Sequence, residues 1–181
     1  MTTARRGSSK HKYVSIYVDD HRAAAAGGVA LARRTARENV GSTFSGDVLQ
    51  GVADDIAEDK ATLDSIARLL GVRPNVLKVT VARLGEMAGR FKLNGQLRGY
   101  SPLSRLIEIE ALIAGIEAKR CLWISLQEAR RNELAEIDIE RLVARADNQR
   151  NLLASLHPQA AALALSSIEQ QDPSAAAVLD A

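Results

Sequence analysis

Apolar residues recur along most of this chain at spacings of three, four and seven, the mark of helices that bury one face. Val14, Val18, Ala25, Val29, Ala32 and Ala36 share one side of a helix predicted over Val14–Asn39. The stretch "NVGSTFSGD" breaks it with two glycines and offers Ser42 and Ser45 as N-caps. Val48, Val52, Ile56, Leu63, Ile66 and Leu70 mark a second helix over Val48–Leu70. Gly71 ends it, suited to the left-handed backbone beyond a helix C-terminus. Arg73-Pro74 opens a third, with Leu77, Val81, Leu84, Ala88 and Phe91 as its stripe. After the loop "LNGQLRGYSPL", Ser101-Pro102 starts a fourth that runs past Trp123 towards Arg131. A fifth begins near Asp138 and is expected to stop at "LHP", because Pro158 disfavours helix at His157. The segment "QAAALALSSIEQ" adds a short helix, and "QDPSAAAVLDA" reads as a frayed tail.

This pattern predicts an all-α antiparallel helical bundle, two long-helix hairpins joined by a shorter connecting helix. One domain spans 13–165, between a disordered basic tail over 1–12 and a flexible tail over 166–181. With 181 residues, 46% hydrophobic but only 3% aromatic, the core is aliphatic and closely spaced. Runs of β-branched or aromatic residues that would suit strands are nearly absent. No apolar run approaches the ~18 residues of a membrane span. The basic start "MTTARRGSSKHKY" lacks the apolar stretch of a secretory signal, and Cys121 is the only cysteine, so a cytoplasmic location is expected.

The net charge of +2 hides a segregation. Arg5, Arg6, Lys10 and Lys12 face no acid in the first thirteen residues. Between residues 73 and 105, Arg73, Lys78, Arg83, Arg90, Lys92, Arg98 and Arg105 stand against Glu86 alone, which leaves the remainder acidic. Such a distribution suits a solvated face, an anionic partner such as nucleic acid, or the acidic surface of a second copy. The stretch "SIARLLGVRPNVLKVTVARL" has the outline of a DNA-reading helix-turn-helix. Its first stripe, however, runs unbroken back to Val48, and polar Thr80 falls at a core position. Both features favour a corner between bundle helices, with sequence-independent binding through Arg73, Lys78, Arg83, Arg90, Lys92 and Arg98 as the alternative.

The segments "DDHRAAAAGGVALARRTAREN", "GEMAGRFKLNG", "SPLSRLIEIEALIAGIEAK" and "DNQRNLLASLHPQAAALAL" resemble an alanine-rich actinobacterial family of ferritin-like helical proteins. The resemblance implies a ferritin-like bundle and no particular reaction. In such bundles a di-metal site takes one Glu from each of two helices and Glu-x-x-His from the other two. Here the histidines are His11, His21 and His157, and none follows a glutamate by three. The usual ligands therefore have no counterparts, and no cofactor is expected.

Helical projection nonetheless puts polar residues on inward faces: His21, Asp59, Glu110, Glu117 and Gln149. Buried carboxylates without partners cost several kcal/mol each or become neutral. They are expected to form an internal hydrogen-bond network, or to lie near a bundle end where their tips reach water. The sharper alternative is a reduced metal site of His21, Asp59, Glu110 and Glu117, whose oxygen-rich ligands would suit Fe, Mn or Zn. Cys121 reads as a small core residue, and Trp123 and Tyr100 as packing groups. No phosphate loop, zinc spacing or nucleophilic triad is present. A non-catalytic bundle that acts through a protein partner or as a homo-oligomer is the expectation.

Overall fold

The computed structural model describes residues 3–42, 44, 46–72 and 100–166, with side chains from residue 12 onwards. These residues form four helices and, among them, no strand: α1 (Thr3–Glu38), α2 (Gly46–Leu69), α3 (Pro102–Arg130) and α4 (Ile139–Ser166). The predicted all-α bundle is observed. None of the described helices is long and apolar enough to cross a membrane.

Local chemistry sets the helix ends. Ser101 caps α3 by accepting a bond from the Ser104 N–H (3.0 Å), with Pro102 in the first turn. Gly71 adopts φ +66° beyond α2. There the Val72 N–H reaches the Ala67 carbonyl (2.8 Å) and the Gly71 N–H the Arg68 carbonyl (3.1 Å), while the Val72 side chain is buried. This paired arrangement satisfies carbonyls that the helix leaves open. Between α1 and α2, the Ser42 hydroxyl donates to the Asn39 carbonyl (2.8 Å) and accepts from the Phe44 N–H (3.2 Å). Ser42 thus closes the turn and does not cap α2, and Ser45 lies outside the described residues. Gly46 is required by close approach, since a Cβ there would sit 2.9 Å from the Asn39 oxygen.

Two boundaries differ from expectation. α1 begins at Thr3, within the segment expected to be a disordered tail. Extending a helix costs far less than nucleating one, so docking of Val18 favours propagation into polar sequence. α4 passes through Pro158 and continues to Ser166, one helix where two were predicted. Pro158 and Ala154 are both exposed, so the Ala154 carbonyl that loses its donor can bond water. Buried Leu156, Ala160 and Ala164 hold the helix on course beyond the break. The predicted third helix and the C-terminal tail from residue 167 lie outside the described residues.

α1 packs on α2 and α3, and α4 packs on α3 and α2. Neighbours are antiparallel. Thr35, late in α1, bonds Glu108 early in α3, whereas Tyr17, early in α1, meets Ser125 late in α3. His157–Glu110 and Gln149–Lys119 contacts run α4 against α3 in the same sense. The core falls into two apolar clusters. One holds Val29, Ala36, Leu49, Ile56, Leu106, Ile116 and Leu153; the other holds Val18, Leu63, Ile66, Val72, Trp123, Leu126 and Leu142. Val72 and Leu106 belong to different clusters, so α2 ends at one end of the bundle, α3 begins at the other, and the two run parallel.

The proline within α4 supplies a direct check on this description. Pro158→Ala restores a backbone donor in an exposed helix turn and is expected to stabilise the protein by about 1–3 kcal/mol. Urea denaturation followed by circular dichroism reads this as a higher midpoint.

Candidate functional site

The buried seams of three helices share one spacing and one interruption. In α2 the run Leu49, Val52, Ile56, Leu63, Ile66 is broken by Asp59. In α4 the run Ile139, Leu142, Ala146, Leu153, Leu156 is broken by Gln149. In α3 the run Ile109, Leu112, Ile116, Trp123, Leu126 skips position 119, which is Lys119. These three polar residues meet. Lys119 Nζ donates to Asp59 Oδ2 and to Gln149 Oε1 (2.5 Å), and Gln149 Nε2 donates to Asp59 Oδ2 (3.1 Å).

Arg145, one turn from Gln149 in α4, completes the layer. Its Nη2 donates to Asp59 Oδ1 and its Nη1 pairs with Glu58 Oε1 at 2.6 Å. Asp59 is 1% exposed, and the Lys119 and Arg145 side chains are 15% and 14% exposed. Two carboxylates and two cations balance. Burial pushes the Lys119 ammonium below its ordinary pKa, Asp59 opposes that, and Arg145 adds to it. Asp59 holds both cations in place, so it is an ion-pair node with each oxygen already occupied.

The candidate metal ligands do not converge. His21 is half-buried in α1 with its ring edge-on to Tyr17 (4.7 Å), and burial holds its pKa below the usual value. The Arg22–Asp64 pair (2.8 Å) fixes α1 on α2 and carries His21 past the level of Asp59. Glu110 is half-exposed and bonds His157 Nε2 (3.0 Å), while Glu117 pairs with Arg150 of α4 (3.0 Å) and, within α3, with Arg120 (3.7 Å). Among the described residues, no group of three or more His, Cys, Asp or Glu is placed to hold a metal ion. Cys121, expected in the core, is exposed, with its thiol 3.8 Å from Glu117. All three α3 errors share a cause. The apolar residues that flank Glu110 and Glu117 in projection include half-buried Leu103 and Ile113 and exposed Ile124, which lie off the seam into which Lys119 points. Gln149 is inward as predicted, at 0% exposure.

Sequence projection missed a second buried carboxylate. Glu108 is 1% exposed. Its Oε2 accepts from Thr35 Oγ1 (2.9 Å) and the Tyr100 hydroxyl (3.0 Å). Its Oε1 lies 3.3 Å from Arg34 Nε but accepts no hydrogen bond. Burial raises its pKa, which the Thr35, Arg34 and Tyr100 contacts only partly offset. Asn39 extends the network, donating to Tyr100 (3.2 Å) and accepting from Arg105 Nε (2.6 Å). The Arg105 guanidinium lies 4.7 Å over the Phe44 ring. The network ties the α1–α2 turn to the start of α3. Seen from sequence, Glu108 adjoins Ile109 of the seam, and that adjacency was its one signal.

A shallow cleft of about 190 Å³ lies at the α3–α4 turn, lined by Gln127, Arg131, Leu134, Ile137 and Asp138, and touches neither network. The predicted basic patch of Arg73, Lys78, Arg83, Arg90, Lys92 and Arg98 lies outside the described residues. No protein-family model, curated protein or solved structure matches this chain.

Two substitutions separate the networks. Asp59→Ala leaves Lys119 buried without its counter-charge and Arg145 with Glu58 alone, and is expected to cost about 3–5 kcal/mol in urea denaturation. Glu108→Gln acts in the opposite direction. With its pKa raised by folding, Glu108 binds its proton more tightly in the native chain, so stability falls as pH rises from the ordinary 4.5 to the raised value. Glu108→Gln should flatten that decline and leave the variant the more stable form at pH 7.

Proposed function

We propose that this chain is a ferritin-like bundle whose interior has exchanged metal chemistry for an ion-pair layer, and that it acts non-catalytically through self-association or a protein partner. The parallel course of α2 and α3 supports the ferritin-like part, because a single long crossover between two antiparallel hairpins has that consequence. The observation that carries the functional part is the occupation of both Asp59 oxygens by Lys119, Arg145 and Gln149. A divalent cation there would have to displace two buried cations and add its own charge to theirs. With Asp59 occupied in this way, function falls to the surface, which carries large exposed apolar residues on α1.

Metal analysis of untagged protein, combined with sedimentation over a concentration series, tests both halves. Expected are substoichiometric metal and a mass that rises with concentration. Retention of one or more Fe, Mn or Zn ions per chain after dialysis would overturn the non-catalytic reading in favour of a non-standard metal site. Salt-sensitive retention on DNA by a strictly monomeric protein would overturn it in favour of a nucleic-acid binder.

A further inference from the structure

The outward side of α1 carries three large apolar residues within five positions. Tyr13 is 69% exposed, Ile16 47% and Tyr17 37%. Tyr17 reaches Ser125 of α3 through its hydroxyl (3.4 Å), so this patch is anchored to the bundle and continuous with its surface. Exposed Lys12 and Asp20 bracket it, four residues to either side of Ile16. At helical spacing all five lie on the outer half of α1, away from the seam of Val18, Val29 and Ala36.

From this arrangement we infer that a second copy of the chain covers the patch through a two-fold antiparallel pairing of α1 with α1, centred on Ile16. The inference rests on the self-association proposed above and names its surface. Charge placement selects the occupant. In an antiparallel pair centred on Ile16, Lys12 of each protomer lies opposite Asp20 of its partner, and two ion pairs form from one helix. An isologous interface needs this self-complementarity, since every residue must suit its own symmetry mate. The apolar centre between two charged flanks also matches the layout of stable interfaces.

Sedimentation, charge reversal and cross-linking test this on the full chain. Wild-type protein is expected to dimerise below about 100 µM, and Ile16→Glu to weaken the dimer at least ~tenfold with unchanged helical content. Lys12→Asp and Asp20→Lys should each weaken it, and the double variant should restore it, a recovery that misfolding would not produce. In a Cys121→Ser background, Ile16→Cys should form a covalent dimer under mild oxidation, because the two thiols meet at the axis. A dimer indifferent to Ile16→Glu and not cross-linked at position 16 would overturn this surface while leaving self-association intact. A chain that stays monomeric throughout would overturn both.

Discussion

A carboxylate at 1% exposure in the middle of a helical bundle is the constraint on which much of this structure turns. Asp59 is accommodated there because α3 sends in Lys119 and α4 sends in Arg145 and Gln149. Removing water from such a group is costly, and the partners must arrive with good geometry to offset it. Three helices are therefore held in one register. Shifting α4 by a turn would take Arg145 and Gln149 away from Asp59 and leave the buried acid with Lys119 alone. An apolar layer of the same volume would pack well in several alignments, whereas this one is specific. The layer also divides the core, with Ile56 and Ile116 on one side and Leu63 and Leu122 on the other.

α1 stands outside that layer and is attached by other means. Arg22–Asp64 locks it to α2, and Thr35 and Asn39 tie it to α3 through Glu108, Tyr100 and Arg105. These contacts make the α1–α2 turn a fixed end of the bundle. They also leave the outer side of α1 with Tyr13 and Ile16 exposed. Interior polar groups thus orient the helices and set which side chains α1 presents outward.

Much of the architecture was legible in the chain because it depends on local rules. Gly71 ended α2 by the left-handed conformation predicted for it, and Ser101-Pro102 opened α3. Asp59 and Gln149 were recognisable as inward because apolar residues flank them on both sides of the stripe. Even the layer had a signature: Leu49-Val52-Ile56-Asp59 and Ile109-Leu112-Ile116-Lys119 repeat the same three-four-three spacing. Reading Lys119 as inward required accepting a lysine in a core seam, and the apolar flanks of α3 argued the other way.

What the sequence determined by itself, then, was the helical character of the chain, most ends of the described helices and the inward faces of α1, α2 and α4, since these follow from periodicity, capping and backbone preference. Tertiary structure alone decided the rotation of α3, which turned Glu110, Glu117 and Cys121 outward and brought Lys119 and Glu108 in. It also carried α4 through Pro158, against the local preference of proline. The reason is the same in both cases. A helix's rotation and continuity are set by what the neighbouring helices offer, here a buried Asp59 needing cations and a groove accepting Leu156, Ala160 and Ala164. No single stretch of sequence contains that information, because the partners lie far apart along the chain.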